Sequence, residues 1–400
     1  MVFKYRTYWG SEGIKLVKVY YFDNAATSWP KPRSVIKAMQ EYFFYGGGNP
    51  GRSGHIKAIE AGKTVLNTRQ LLASLFNIKD PSRIVFTKNA TEALNIALFG
   101  SLSKGDHVVT TSMEHNSVMR PLRHLEDRGV KISVAKMDSK GWVPLSAIER
   151  EVNESTKLIA VTHASNVTGT INDIKEIGSF CKRRNIRLLV DAAQTVGVVP
   201  IDVERINVDL LAFSGHKGLL GPQGTGGLFI RNGNFLNPLM RGGTGSLSDR
   251  EEQPDFMPDQ YESGTLNVIG IAGLGEGVRW VIEMGVDRIM EHDSRLLEIF
   301  LDELSGNERF RLYGIGKAFE QTGVVSLNIQ GLSPSKVGEI LDRRYGILTR
   351  IGLHCSPHAH KTIGTFPDGT VRFSWGVFTK QKDIVTVTRA LKKIAQEKLI

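Results

Sequence analysis

The sequence predicts an α/β fold: a mostly parallel seven-stranded sheet between helices, followed by a smaller α+β domain. Three observations carry this expectation. At 400 residues the chain exceeds what one ordinary core organises, so two domains are expected, and 41% apolar content is ample for both. From about residue 82 to 231, short apolar runs alternate with amphipathic stretches, the pattern of parallel strands joined by covering helices. A Gly- and Pro-rich polar stretch, Arg241 through Pro258, then ends the alternation.

The strand-like runs are residues 83–87, 107–111, 131–136, 157–162, 186–190, 210–213 and 226–230. Helical stretches lie between several of them, at 91–102, 117–128 and 173–185. Past the polar stretch, a long helical pattern covers 268–284 and 287–303, and a short α+β region reaches the C-terminus. The first eighteen residues are basic and show no pattern until Lys18-Val19-Tyr20-Tyr21-Phe22. Residues 1–20 therefore read as an N-terminal extension, 21–262 as a large domain and 263–400 as a small one. The N-terminal segment is expected to pack with the small domain.

Composition narrows the function. No run of about 18 apolar residues occurs, nor a charged-then-apolar leader, so a soluble, cytoplasmic protein with no membrane role is expected. The only cysteines, Cys181 and Cys355, lie far apart, which argues against a disulfide framework and suits a reducing compartment. The formal charge is +10, with Lys182-Arg183-Arg184 as its densest cluster. That cluster ends a helix, where cations complement the dipole, and no nucleic-acid reader motif is present. Nucleic acid is not an expected partner.

Open α/β sheets bind ligands outside the carboxyl ends of their strands. Five polar clusters fall at such ends: Thr87-Lys88-Asn89-Ala90-Thr91, Met113-Glu114-His115-Asn116, residues 163–166, residues 191–194 and Ser214-Gly215-His216-Lys217. A lysine at one strand end, with Asp191 and Gln194 at a neighbouring one, is what pyridoxal phosphate chemistry requires. Lys217 forms the Schiff base, Asp191 keeps the ring nitrogen protonated, and Gln194 orients the ring hydroxyl. Ala90 and Thr91 open a helix whose N–H groups and dipole suit a phosphate, and Ser214 and His216 add donors. His115, between a strand end and a helix start, is placed to lie on the ring and shuttle protons. The plainer alternatives are a turn-capping Asp191, a simple N-cap at Thr91 and a structural histidine.

Cys355 is the second anchor. Gly352, Ser356 and Pro357 around it imply a loop, and Arg350 and His354 are placed to favour the thiolate. An incidental cysteine, or a zinc site built with His354, His358 and His360, are the alternatives, though the spacing fits no common structural zinc site. Cys181 sits in a helical stretch and is expected to be inert. Arg372, on an alternating stretch, suits a substrate α-carboxylate, with a surface strand arginine as the bland reading. Competing motifs fail: Ala61-Gly62-Lys63-Thr64 ends like a P-loop, but Lys57 stands at its first glycine.

These residues, in this order, resemble the cysteine desulfurase and selenocysteine lyase group of class-V aminotransferases. Matching blocks run from Tyr21-Phe22-Asp23-Asn24-Ala25-Ala26-Thr27 through Asn49-Pro50-Gly51-Arg52-Ser53-Gly54-His55 and Ala164-Ser165-Asn166-Val167-Thr168-Gly169-Thr170. Ser214 through Lys217, Glu262-Ser263-Gly264-Thr265-Leu266-Asn267 and Arg350 through Cys355 continue them. The resemblance implies the pyridoxal phosphate fold type I and a homodimer with sites at the interface. It implies that Thr265 reaches the phosphate of the other subunit, and that Asn166 and Arg372 bind the substrate carboxylate with Arg350 nearby. Cys355 matches the persulfide-forming cysteine, and its short, proline-bounded segment is similar to the branch with a compact catalytic loop. The 242–249 region is expected to be that branch's hairpin. L-cysteine, or L-selenocysteine, is the implied substrate, and a protein sulfur acceptor the implied partner, as in iron–sulfur cluster biogenesis. Asn116 and Leu353 stand where relatives often carry histidine, and Ser356-Pro357-His358 is an unusual continuation. The alternatives are a selenocysteine lyase or other C–S lyase, and, more remotely, a non-catalytic metal- or partner-binding protein.

Overall fold

A computed structural model describes residues 5–10, 13–51 and 53–397. Of the first eighteen residues, which show no sequence pattern, 1–4 and 11–12 lie outside the described ones, and the others form strands. Strands β1 (Tyr5–Gly10) and β2 (Gly13–Lys18) pair antiparallel, with Gly10 opposite Gly13 at the closed end. Each run is only six residues long, and Tyr8-Trp9 breaks the alternation of β1, too short a period-two signal to stand out. The short β3 (Tyr20–Tyr21) and helices α1 (Arg33–Tyr45) and α2 (Ile56–Phe76) follow. Neither helix was singled out in the sequence.

The central sheet comprises β4 (Ile84–Thr87), β5 (His107–Thr111), β6 (Lys131–Ala135), β7 (Thr156–Thr162), β8 (Arg187–Asp191), β9 (Leu210–Ser214) and β10 (Gly226–Ile230). All seven stand where the sequence places them, with ends displaced by no more than one residue. Their spatial order is β4-β10-β9-β8-β7-β5-β6. Only β10 runs antiparallel to its neighbours; the remaining pairings are parallel. Strands β4, β5, β9 and β10 are buried along their whole length, as helices on both faces require, whereas the edge strand β6 is half open.

Helices α3 (Ala90–Ser101), α4 (Asn116–Asp127), α5 (Leu145–Glu151), α6 (Ile174–Arg184) and α7 (Val203–Ile206) supply that cover. Their starts are capped by side chains: Asn89 accepts the Glu92 N–H at α3, and Asp173 accepts the Glu176 N–H at α6. Within α6, Gly178 lets the helix touch its neighbour, since a Cβ there would stand 1.8 Å from the Ile206 carbonyl oxygen. The segment 242–249, expected as a hairpin, contains no strand. It is glycine-rich and poor in β-branched residues, and side chains hold it instead, Ser246 on Asp259 and Gln253 on the Gly242 N–H.

Helices α8 (Val268–Met284) and α9 (Val286–Leu304) lead to a second sheet. It is formed by β11 (Phe310–Tyr313), β12 (Val324–Ile329), β14 (Arg350–Gly352) and β15 (Thr370–Ser374), antiparallel in the order β11-β12-β15-β14. Helices α10 (Pro334–Tyr345), α11 (Pro357–Thr362) and α12 (Gln381–Gln396) accompany it, and β13 (Ile347–Leu348) pairs parallel with β3. Phe22 packs into the core of this second sheet, with Phe300, Phe373 and Trp375. No described helix is long and apolar enough to cross a membrane.

Candidate active site

The strand-end clusters converge. Ala90, Thr91, His115, Asn166, Asp191, Gln194, Ser214, His216 and Lys217 line one cavity of about 260 Å³, joined by Arg350 and Arg372 from the second sheet. Cys355 and Thr265 are the two predicted site residues that do not line it.

Lys217 stands three residues past the end of β9, and its amine makes no hydrogen bond to any described residue. Burial lowers its pKa to about 8; Asp191 opposes that shift, while Arg372 and Arg350 add to it. Asp191 ends β8 and is buried, with Oδ1 accepting the Ala193 N–H at 2.9 Å. Burial raises its pKa, and that N–H and Lys217 counter the rise. The Gln194 side chain donates from Nε2 to the Ala25 carbonyl at 3.2 Å, which fixes its carboxamide against the segment following β3. His115 caps α4: its Nδ1 accepts the Ser117 N–H at 3.0 Å. Burial, then Lys217, Arg350, Arg372 and Arg120, push its pKa down to about 4, so the ring is neutral at neutral pH.

The start of α3 forms an anion cradle. Ser214 Oγ accepts the Ala90 N–H at 3.2 Å, and Thr91 Oγ1 lies 2.8 Å from Ser117 Oγ. His216 Nδ1 lies 3.1 Å from Thr27 Oγ1, and burial, followed by Lys217 and Lys31, brings its pKa down to about 4. Glu92, the one acid of the first turn, is turned back onto the Lys88 N–H and leaves the cradle without a carboxylate. Hydroxyls, neutral imidazole and a helix N-terminus are the donor set a phosphate dianion needs. Ser117 was missed in the sequence, yet its hydroxyl stands between His115 Nδ1 (2.8 Å) and Thr91. Its spacing of two from His115 at a helix start was the available signal.

On the opposite wall, Arg372 is 1% exposed. Its Nη2 donates to Asp23 Oδ1 at 2.7 Å and its Nη1 to the Asn166 carbonyl at 2.9 Å, while Nε has no partner among the described residues. An unpartnered buried guanidinium nitrogen marks unspent capacity for an anion. Arg350 faces Arg372 across the β14–β15 pairing, and its Nη2 lies 3.2 Å from Cys355 Sγ. The thiol is thus bound to a residue of the cavity wall without lining the cavity itself.

The Cys355 loop is held from several sides. His354 (φ 49°) and Cys355 (φ 60°) are consecutive left-handed residues, a conformation non-glycine residues adopt only when their surroundings impose it. The Asn116 N–H donates to the Cys355 carbonyl at 2.9 Å, and Asn166 Nδ2 donates to the His354 carbonyl at 2.8 Å. Cys355 is exposed. Cys181 is 1% exposed, and burial, then Asp209, push its thiol up to about 12.

One expectation needs correction. His354 does not supply charge to the thiol: burial, then Arg372, holds its pKa far down, and its Nε2 is engaged with Thr370 Oγ1 at 2.9 Å. Of the neighbouring histidines, His360 Nδ1 lies 2.6 Å from Thr365 Oγ1, while His360 Nε2 and His354 Nδ1 have no partner among the described residues, and no three described His, Cys, Asp or Glu side chains converge as metal ligands. Thr265 is exposed, in the segment between Glu262, ion-paired with Arg69, and Asn267, which caps α8.

The aminotransferase class-V family model matches residues 20–387. A probable cysteine desulfurase of Methanothermobacter thermautotrophicus is 37% identical over 96% of both chains. The solved apo structure of a cysteine desulfurase from Thermococcus onnurineus superposes with a TM-score of 0.88 at 34% identity, covering 94% of this chain and 95% of that one. A cysteine desulfurase from Escherichia coli, solved in an S-sulfonic acid form, gives a TM-score of 0.83 at 25% identity, over 93% and 94%.

Proposed function

The chain belongs to the class-V aminotransferase family, and on that premise we propose that it is a pyridoxal 5'-phosphate-dependent cysteine desulfurase. It converts L-cysteine to L-alanine and takes the sulfur onto Cys355. The observation that carries this reading is the exposed Cys355 thiol, held 3.2 Å from an arginine that lines the same cavity as Lys217.

When bound, the cofactor supplies an electron sink for charge developed at the substrate α-carbon. Lys217 is the residue to tether it, because an amine depressed to about 8 keeps a far larger neutral, nucleophilic fraction near neutral pH than an ordinary lysine. Asp191 provides the buried negative charge for a ring nitrogen, Gln194 a fixed carboxamide for the ring hydroxyl, and His115 a neutral imidazole beside both. Ala90, Thr91, Ser214 and His216 hold the phosphate. Asn166 and Arg372 receive the substrate carboxylate, with Arg350 beside them. Once the α-proton has passed to Lys217, the Cys355 sulfur attacks the substrate sulfur. A sulfur–sulfur bond forms as the carbon–sulfur bond breaks, the β-carbon takes up a proton, and the α-carbon regains one from Lys217, so that alanine leaves and the sulfur stays on Cys355.

A sulfur acceptor protein, a cytoplasmic setting and a supply role in iron–sulfur cluster biogenesis fit an exposed sulfur carrier. A homodimer, with Thr265 completing the partner's phosphate site, is supported by the apolar end of α1, where Phe43, Phe44 and Tyr45 are each about 70% exposed. The test is to incubate the reconstituted protein with L-cysteine and a reductant, and to assay alanine and sulfide for wild type, Lys217→Ala and Cys355→Ala. Sustained L-cysteine turnover by Cys355→Ala would replace this reading with a C–S or selenocysteine lyase.

A further inference from the structure

We propose that Ser356 is a positioning residue for Cys355 and acts through Asn166. The inference rests on the reading of Cys355 as the sulfur carrier and adds a residue to it. Ser356 occupies the N-cap position of α11, where a serine side chain ordinarily accepts a backbone N–H, yet it makes no capping bond. Its hydroxyl donates instead to Asn166 Oδ1 at 2.7 Å, a residue 190 positions away in sequence.

That contact fixes a whole carboxamide. The His354 carbonyl can only accept, so the nitrogen of the Asn166 amide must face it, at 2.8 Å. Oδ1 is then left for a donor, and Ser356 is that donor. Asn166 therefore grips the residues on both sides of Cys355 with the two ends of one amide, and both Asn166 and Ser356 are buried. The second N–H of Nδ2 remains for the cavity, which Asn166 lines.

The loop needs such a grip because His354 and Cys355 both hold positive φ. Without the Ser356 hydroxyl, a buried Oδ1 has no partner, the amide is free to turn, and the anchor on His354 is lost. The Asn116 bond to the Cys355 carbonyl, the His354 ring contact with Thr370 and the Ser356 N–H bond to the Leu353 carbonyl remain, but none of them fixes the His354 carbonyl. The loop then relaxes, and the sulfur leaves its place beside Arg350.

The test uses holoenzyme carrying Ser356→Ala, Asn166→Ala or both. Alanine formation from L-cysteine is measured alongside the ratio of rates at which Cys355 reacts with iodoacetate and with iodoacetamide. A guanidinium beside the sulfur favours the anionic reagent, so the ratio reports the contact with Arg350 and cancels what the reagents share. Cys181 is buried and does not compete. Ser356→Ala is expected to lower the ratio about threefold and alanine formation about tenfold, the scale of one buried hydrogen bond. The double variant should fall no further than Asn166→Ala alone, the mark of two residues acting as one unit. A ratio and an alanine rate within about twofold of wild type for Ser356→Ala, or additive losses in the double variant, overturn the proposal. If wild type makes no alanine, the functional reading fails, while the alkylation ratio still decides whether Ser356 positions the thiol.

Discussion

Lys217, Asp191 and His115 stand at or just past the ends of strands in one sheet, β9 and β5 buried throughout and β8 in all but its first residue. Cys355 stands past the edge strand β14, in a loop whose left-handed backbone is held by Asn116, at the start of α4, and Asn166, in the segment after β7. The cofactor end of the site is thus set by local structure, since burying the strands leaves no other place for the residues after them. The sulfur end is set by capture, with anchors hundreds of residues from what they anchor. Chemistry that needs a fixed charge array sits on the first kind of support. A group that must meet a substrate and then a separate acceptor sits on the second.

The difference can be tested from its largest expected effect downward. Lys217→Ala should abolish desulfuration, by more than about 10³-fold, and also remove the absorbance of the tethered cofactor. Cys355→Ala should lose alanine formation by about 10²-fold or more yet keep that absorbance. Loss of cofactor binding there would show the two ends to be one unit. Arg69→Ala attacks the support of the cofactor end. Its ion pair with Glu262 has both side chains under 10% exposed, and Glu262 also accepts the Phe86 N–H of β4. Stranding that carboxylate should cost about 3–5 kcal/mol in denaturant or thermal unfolding.

A smaller effect is one of pH. Attachment of the cofactor needs the neutral amine of Lys217, whose pKa is lowered to about 8. The rate of capture of added pyridoxal phosphate by apoprotein should rise with pH, reach half its maximum near 8 and level off above that, and Cys355→Ala should follow the same curve. A rate that kept climbing toward the ordinary lysine value would show that burial does not depress this amine. The smallest effect is expected at the second cysteine. Cys181→Ala should leave L-cysteine turnover within about twofold of wild type, since its thiol is buried and held protonated.

The same contrast explains what the sequence revealed. Apolar runs stop where polar clusters begin, so the seven strands and the positions of Lys217, Asp191, Gln194, His115 and Thr91 could be read directly. Asp23 could not, because its partner Arg372 is 349 residues away. Ser356 reads in the sequence as an ordinary loop residue, and only folding shows its hydroxyl diverted to Asn166. Ser117 lay two positions beyond His115, a residue already chosen. The β1–β2 hairpin was hidden because two six-residue runs with a broken alternation carry little periodic signal. The role given to Thr265 rests on family resemblance, since one chain leaves that residue exposed.

The bond between Asp23 and Arg372 bears on the order in which a ribosome completes this protein. Lys217 and the cavity residues before it precede β10, which seats β4 in the sheet, and Glu262, so apart from the partner's Thr265 the cofactor end is complete by residue 262 of 400 and can assemble while synthesis continues. Asp23 and Phe22 must wait for the strand that receives them, which is among the last to emerge. A nascent chain could therefore capture its cofactor before it could release sulfur from a substrate.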